Sequence, residues 1–274
     1  MLKNYIKIAF RNIMKHKVFS FINVIGLTIG FSASFVIGLM VYYDYTFDNF
    51  HKDGDRIYRV VTDFKSPEGK FHNSGVTLAL KGAIQENSNF EVVSEFYVNR
   101  PMKVENRADN LKFKLPKFVI YADEDFFKVF DYKFIVGDDN EALKNPNEVI
   151  LTEERAKQYF PNIAVSEVIG KTLIYNDSVN VKVTGVVENF KNRTDFVFQE
   201  FISHPTLLQT SLRQNILGKN WNNTNSNSQL YVKLNPNADK EAIISNLKAI
   251  ATEHRSKEDI KYGEERMFRL QPLE

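Results

Sequence analysis

Residues 18–43 read VFSFINVIGLTIGFSASFVIGLMVYY, an uninterrupted run of 26 residues without a charged side chain. An α-helix rises about 1.5 Å per residue, so this run would extend over roughly 39 Å, enough to cross a bilayer. No second apolar run of comparable length occurs in the sequence. The run therefore predicts one membrane-spanning helix.

The charges on the two sides of this run differ in sign. Five basic residues and no acidic residue precede it, whereas the first charged residues after it are Asp44 and Asp48. An excess of Lys and Arg marks the cytoplasmic end of a span. We therefore predict a cytoplasmic amphipathic helix over residues 1–17, a transmembrane helix over 18–43 and an extracytoplasmic domain over 44–274, in the cell inner (cytoplasmic) membrane.

A cleaved secretory signal is the alternative to a retained anchor. Ser32-Ala33-Ser34 has the small-x-small pattern that signal peptidase accepts. The apolar run, however, continues for nine residues beyond Ser34, past the length of a signal core. This length favours a retained anchor.

Within the run, every fourth residue from 26 to 38 is small: Gly26, Gly30, Ser34 and Gly38. Small residues at this spacing let the backbones of two membrane helices approach closely, which supplies the packing contact that lipid does not. Glycine is also common in membrane helices without such a role. Four small residues in register favour a packing face for another helix, and we call these residues the small-residue stripe.

A basic stripe lies before the span, at every fourth position: Lys3, Lys7, Arg11 and Lys15. Leu2, Ile6 and Ile13 fall on another side of the same 3.6-residue period, which predicts an amphipathic helix along the inner leaflet. The basic stripe either anchors this helix to membrane lipid alone or also contacts a cytoplasmic partner such as an ATPase. The sequence leaves both interpretations open.

Charge and cysteine content limit the function of the remainder. The formal net charge of the chain is +2, and five basic residues precede position 18, so the later residues carry a net charge of −3. This balance argues against nucleic acid as a partner. The chain contains no cysteine, so the outer domain folds without disulfides.

Beyond the membrane, short strands and short helices alternate without a regular βαβ rhythm, which predicts an α+β domain. Turn-rich sequence suggests two subdomains, with joints near residues 137 and 225. We expect a helix over 76–87, and a hairpin over 171–188 that turns at Asn176-Asp177. Three further helices are expected to begin at Asp123, Thr152 and Asp239.

Motifs for catalysis or cofactor binding are missing from the sequence. Gly170-Lys171-Thr172 resembles the end of a phosphate-binding loop, but Val165 stands where that loop needs its first glycine. The five histidines show no metal-ligand spacing. We therefore predict no catalytic, cofactor-binding or metal-binding residue, and no enzyme.

Several segments, taken in order, resemble the MacB/FtsX-like family of ABC transporter permeases. The first are AFRN (9–12), SFINVIGL (20–27), YTFDNFH (45–51) and DRIYRV (55–60). DFFKVFD (125–131), VILTE (149–153) and VTGVV (183–187) are similar to the periplasmic core domain of that family. The resemblance runs from about residue 3 to the end of the chain.

The resemblance implies a permease subunit that transmits ATP-driven motion from a separate cytoplasmic ATPase to the outer domain, for efflux or envelope transport. Expected partners are that ATPase, a second copy or a paralogous permease, and a periplasmic adaptor as a further candidate. ATP would be bound by the ATPase and not by this chain. Family members have four or eight transmembrane helices, so the chain is expected to be a fragment, whose stripe packs on other helices of the subunit or of its dimer mate.

A membrane-anchored extracytoplasmic sensor or ligand-binding domain is the alternative function. It would share the anchor and the outer domain. It would not need the small-residue stripe or the basic amphipathic helix, because a sensor connects to its output module through a second helix.

Overall fold

The computed structural model describes residues 2–45, 48, 50–214 and 220–273. The chain divides into two compact units, Met1–Phe47 and Asp48–Glu274. The first unit is helical, and the second contains all the described strands. The subdomain joints near residues 137 and 225, both within the second unit, stay a prediction.

The first unit consists of helix α1, Leu2–Lys15, and helix α2, Lys17–Asp44. His16 separates them because its backbone angles, φ −114° and ψ 56°, are not helical. By length and composition, Lys17–Tyr43 is the one helix among the described residues that could cross a membrane. Both predicted segments are helical, with the break at His16 and α2 beginning at Lys17, and their cytoplasmic and membrane placement stays a prediction.

Thirteen of the described strands form one mixed sheet in the second unit, in the order β15-β1-β14-β4-β7-β12-β9-β11-β10-β5-β6, with β2 paired to β1 and β8 to β11. β3 and β13 form a separate pair. The strands are β1 Ile57–Ser66, β2 Gly69–Asn73, β3 Val76–Thr77, β4 Phe90–Asn99, β5 Lys103–Asn106, β6 Leu111–Lys114, β7 Val119–Ala122, β8 Phe134–Val136, β9 Glu148–Thr152, β10 Thr172–Tyr175, β11 Val179–Val187, β12 Glu200–Ser203, β13 Thr224–Asn225, β14 Ser228–Leu234 and β15 Glu265–Pro272.

Most neighbouring strands in the large sheet are antiparallel, but β9 pairs with β11 and β7 with β12 in parallel. Mixed pairing of this kind, with short helices between the strands, confirms the α+β class. The predicted hairpin is present as β10 and β11, and Asn176 and Asp177 both have positive φ, as a tight turn requires.

The described α-helices of the second unit include α3 Leu80–Ile84, α4 Phe126–Val129, α5 Glu153–Tyr159, α6 Lys240–Glu253 and α7 Lys257–Tyr262. The predicted caps of α5 and α6 are confirmed. The Thr152 side chain accepts a hydrogen bond from Arg155 N at 3.4 Å, and Asp239 Oδ1 accepts one from Ala242 N at 3.0 Å. Helix α4 begins at Phe126, later than predicted, with Asp125 at its N-cap.

The predicted helix over 76–87 is wrong in its first half. Val76–Thr77 is a strand that pairs with β13, and the helix covers only Leu80–Ile84. Gly75 explains the difference, because a Cβ there would lie 2.0 Å from the backbone oxygen of Asn225. The chain can follow this path against β13 only because residue 75 has no side chain.

Three clusters of buried apolar side chains stabilise the second unit. The first surrounds Tyr159 and Leu173, the second is rich in phenylalanine around Phe126 and Phe130, and the third packs Leu247 of α6 against the sheet. The described residues of all three clusters lie in the second unit.

Candidate functional site

The basic stripe lies on the surface of α1. The side chains of Lys7, Arg11 and Lys15 are exposed, and successive members stand one helical turn apart. The side chain of Lys3 lies outside the described part of the structure. The helix also exposes apolar side chains, including Ile6 at 63% and Ile13 at 51%. This combination matches a helix that lies at an interface between water and lipid.

The small-residue stripe is not covered by any described part of the chain. A Cβ added at Gly26, Gly30 or Gly38 would meet no described atom within 4 Å, and Ser34 is exposed. Large apolar side chains beside the stripe are also exposed, for example Phe31 and Phe35, each at 68%. The geometry leaves room for a second helix, and the packing role stays a prediction.

Where the chain enters the outer domain, a histidine lies among aromatic rings. His51 is 5% exposed and contacts Phe50, Phe190 and Phe196, with ring centroids 4.2, 5.6 and 6.0 Å away. Asp48 is also buried, and its Oδ1 lies 3.6 Å from His51 Nε2, too far for a hydrogen bond. These contacts pack the entry segment of the outer domain, which we define as residues 48 and 50–52, into the second core cluster.

Hydrogen bonds from backbone amides hold the same entry segment in place. Asp48 N donates to Arg193 O at 3.1 Å, and Lys52 N donates to Asp131 Oδ2 at 2.7 Å. These bonds connect the first residues of the outer domain to segments far along the chain. Residues 48 and 52 are therefore fixed within the outer domain.

A polar cluster centres on Asp123, which is 6% exposed. Its carboxylate accepts hydrogen bonds from Lys81 Nζ at 2.6 Å, Ser94 Oγ at 2.8 Å and Glu95 N at 2.6 Å. His204 lies next to it, with Nε2 3.6 Å from Glu95 Oε1. A cavity of about 300 Å³ between α3, β4 and the turn at residue 204 is lined by Lys81, Glu95, Asp123 and His204, among others.

Burial sets the protonation of two groups in this cluster. Burial, together with the charge of Asp123, raises the pKa of Glu95 to about 8. Burial lowers the pKa of His204 to about 4. At neutral pH both side chains are therefore largely uncharged, and the ion pair between Lys81 and Asp123 carries the charge of the cluster.

A second buried charge, Glu200, is paired in the first core cluster. Its carboxylate lies 2.9 Å from Arg155 Nε and accepts hydrogen bonds from the hydroxyls of Tyr159, at 2.6 Å, and Tyr175. Burial raises the pKa of Glu200. None of these groups is arranged with others to hold a metal, since no group of three or more His, Asp or Glu in the described residues could do so.

The family of the chain follows from its similarity to known protein families. The model of the MacB-like periplasmic core domain matches residues 20–250. The chain belongs to this family. Its fold is also similar to a crystallised domain of a Porphyromonas gingivalis protein classed as a permease, with a TM-score of 0.68 and 21% identity over 83% of this chain and 93% of that one.

The MacB-like fold is shared, more distantly, with the periplasmic region of MacB from Actinobacillus actinomycetemcomitans. The TM-score is 0.54 and the identity 16%, over 80% of this chain and 90% of that one. No curated protein gave a significant match. The predicted resemblance to a MacB/FtsX-like permease is confirmed. Members of this family are components of ABC transporters, which work with an ATPase.

Sequence reasoning missed the buried clusters of this MacB-like domain. Lys81, Glu95, Asp123 and His204 come from four segments that only the fold brings together. Glu200 left a trace, because it is the single acidic residue in the otherwise uncharged run FVFQEFI (196–202). An isolated charge in such a run must be paired or neutral when buried.

Proposed function

We propose that this protein is a permease subunit of a MacB/FtsX-type ABC transporter in the cell inner membrane. Its N-terminus would face the cytoplasm and its outer domain the extracytoplasmic side. The observation that carries the proposal is the arrangement along the chain: a basic amphipathic helix, an apolar helix at Lys17–Tyr43, and then a MacB-like periplasmic core domain. The excess of basic residues before α2 supports this orientation.

In this proposal the chain catalyses no reaction and binds no cofactor. A separate cytoplasmic ATPase hydrolyses ATP, and α1, whose basic stripe lies along the inner leaflet, contacts it. The non-helical backbone at His16 supports this geometry, because it lets α1 take a direction different from that of α2.

Motion of the membrane helix would reach the outer domain through its entry segment. Asp48 and His51 are buried and bonded or packed to residues of the domain core, so the segment resists being pulled out alone. This anchoring supports mechanical transmission for efflux or envelope transport. The small-residue stripe would pack against other helices of the subunit or against a second permease, and a periplasmic adaptor is a further candidate partner.

Reversal of one charge in the basic stripe tests the proposal. The tagged protein would be purified from its own membranes, placed in lipid nanodiscs and assayed for a co-purified ABC ATPase and its activity. We expect Arg11→Glu to reduce both, because it inverts the charge of the contact face. Lys248→Glu, at an exposed site on α6, should change neither. Absence of an ATPase from the wild-type preparation, or equal activity in both variants, would contradict the proposal.

A further inference from the structure

An apolar groove of about 400 Å³ opens on the outer domain where β4 ends and β7 begins. Pro101, Leu115, Phe118 and Phe198 are among its apolar wall residues. Leu115 is 60% exposed and Phe118 44%. Large apolar side chains at the rim of a concave site of this volume are typical of a small-molecule site.

The backbone of the groove is strained at the two residues that shape it. Leu115 has φ +50° and Phe118 has φ +64°, a region that bulky side chains rarely adopt. Such conformations persist only where the surroundings fix them, and they are concentrated at ligand sites. Here Leu115 N donates to Met102 O at 2.8 Å, and Phe118 O accepts from Gln199 N at 2.8 Å.

The buried pair of Arg155 and Glu200 also supports the backbone between Leu115 and Phe118. Arg155 Nη2 donates to Lys117 O at 2.9 Å, while its Nε lies 2.9 Å from Glu200 Oε1. The side chain of Arg155 is 11% exposed and that of Glu200 is fully buried. The buried ion pair thus fixes the backbone at Lys117. The groove is therefore formed before any ligand binds.

The rim of the groove is basic on an otherwise acidic domain. Residues 98–118 contain six basic and two acidic side chains, whereas all residues after position 17 sum to a net charge of −3. Arg100 and Lys117 line the groove, are exposed and form no ion pair with any described residue. A guanidinium beside an apolar wall is suited to an anionic head group.

We propose that this groove binds a single-chain anionic amphiphile from the aqueous phase, with its alkyl chain against Leu115 and Phe118 and its carboxylate at Arg100 and Lys117. A peptide that adds a strand fits less well, because β4 and β7 are already paired on both sides. The proposal does not depend on the transport function.

Photolabelling of the full-length protein in nanodiscs tests this site. The probe is decanoate carrying a diazirine near the end of its chain, used below its micelle concentration, with labelled peptides located by mass spectrometry. We expect labelling concentrated in residues 98–102 and 115–118, and competition by unmodified decanoate. Arg100→Gln with Lys117→Gln should reduce labelling there by about tenfold, as expected for loss of a charge-assisted contact.

Two controls make the result decisive. Lys112→Gln with Lys114→Gln removes the same two positive charges on β6, outside the groove lining, and should leave the labelling unchanged. A diazirine-bearing decyltrimethylammonium should label the groove much less than the decanoate probe. Labelling spread over the surface, equal labelling by the cationic probe, or no effect of the double substitution would overturn the proposal.

Discussion

Replacement of Glu95 by Gln should remove a pH dependence from the stability of the outer domain. The pKa of Glu95 is raised from its usual value of 4.5 to about 8, because the side chain is buried and close to Asp123. Between these two pH values the folded protein retains a proton that the unfolded chain has lost. The folded state therefore loses stability as the pH rises towards 8.

The size of this effect follows from the pKa difference. One pKa unit corresponds to about 1.4 kcal/mol, so the full difference would amount to about 5 kcal/mol as an upper limit. The side chain is 14% exposed and can relax, and we expect about 1–2 kcal/mol between pH 6.5 and 8.5. His204, whose pKa is lowered to about 4 from 6.5, acts in the opposite direction but only below pH 6.5.

Urea unfolding of the full-length protein in mild detergent can measure this change. Trp221, the single tryptophan of the chain, stacks on His254 with ring centroids 3.8 Å apart and reports on the outer domain alone. In Glu95→Gln, the free energy of unfolding should fall less between pH 6.5 and 8.5 than it does in the wild type. The control is Glu91→Gln, on the same strand, where Glu91 forms an ion pair with Arg56. Its free energy of unfolding should fall with pH as much as that of the wild type. Equal slopes in the wild type and Glu95→Gln would refute the reasoning.

Three further predictions concern the core, the membrane helix and the outer domain. Glu200→Gln should destabilise the outer domain by about 3 kcal/mol in the same urea assay, because it leaves the buried charge of Arg155 unpaired; a neutral effect would contradict the buried pair. Gly30→Leu should weaken subunit association in nanodiscs several-fold without affecting membrane insertion, whereas Phe35→Leu should not, and equal association would make the stripe incidental. Residues 46–274, expressed alone, should form a soluble domain whose thermal unfolding is unchanged by reductant, since the chain has no cysteine; aggregation would count against an independent domain.

Local features of the fold could be read from the sequence because their causes are local. The uncharged run predicts α2, the side chains of Thr152 and Asp239 predict the starts of α5 and α6, and Asn176-Asp177 predicts the turn between β10 and β11. In each case a few adjacent residues supply the hydrogen bonds or the backbone angles.

Features that depend on distant contacts could not be predicted. Gly75 gave no sign that it would lie against the backbone of Asn225, and this approach replaces the first half of a predicted helix with a strand. The strand order of the sheet, which places β14 between β1 and β4, likewise depends on packing across the whole domain. The polar cluster around Asp123 and the groove at Leu115 arise only from these long-range pairings.

Cysteine accessibility tests the proposed topology most directly. The chain has no cysteine of its own, so Lys7→Cys and Lys52→Cys each carry one thiol, and both sites are exposed. With a membrane-impermeant maleimide on cells whose inner membrane is intact, we expect labelling of Lys52→Cys, and labelling of Lys7→Cys only after that membrane is permeabilised. Labelling of Lys7→Cys in intact cells, with protection of Lys52→Cys, would contradict an extracytoplasmic outer domain.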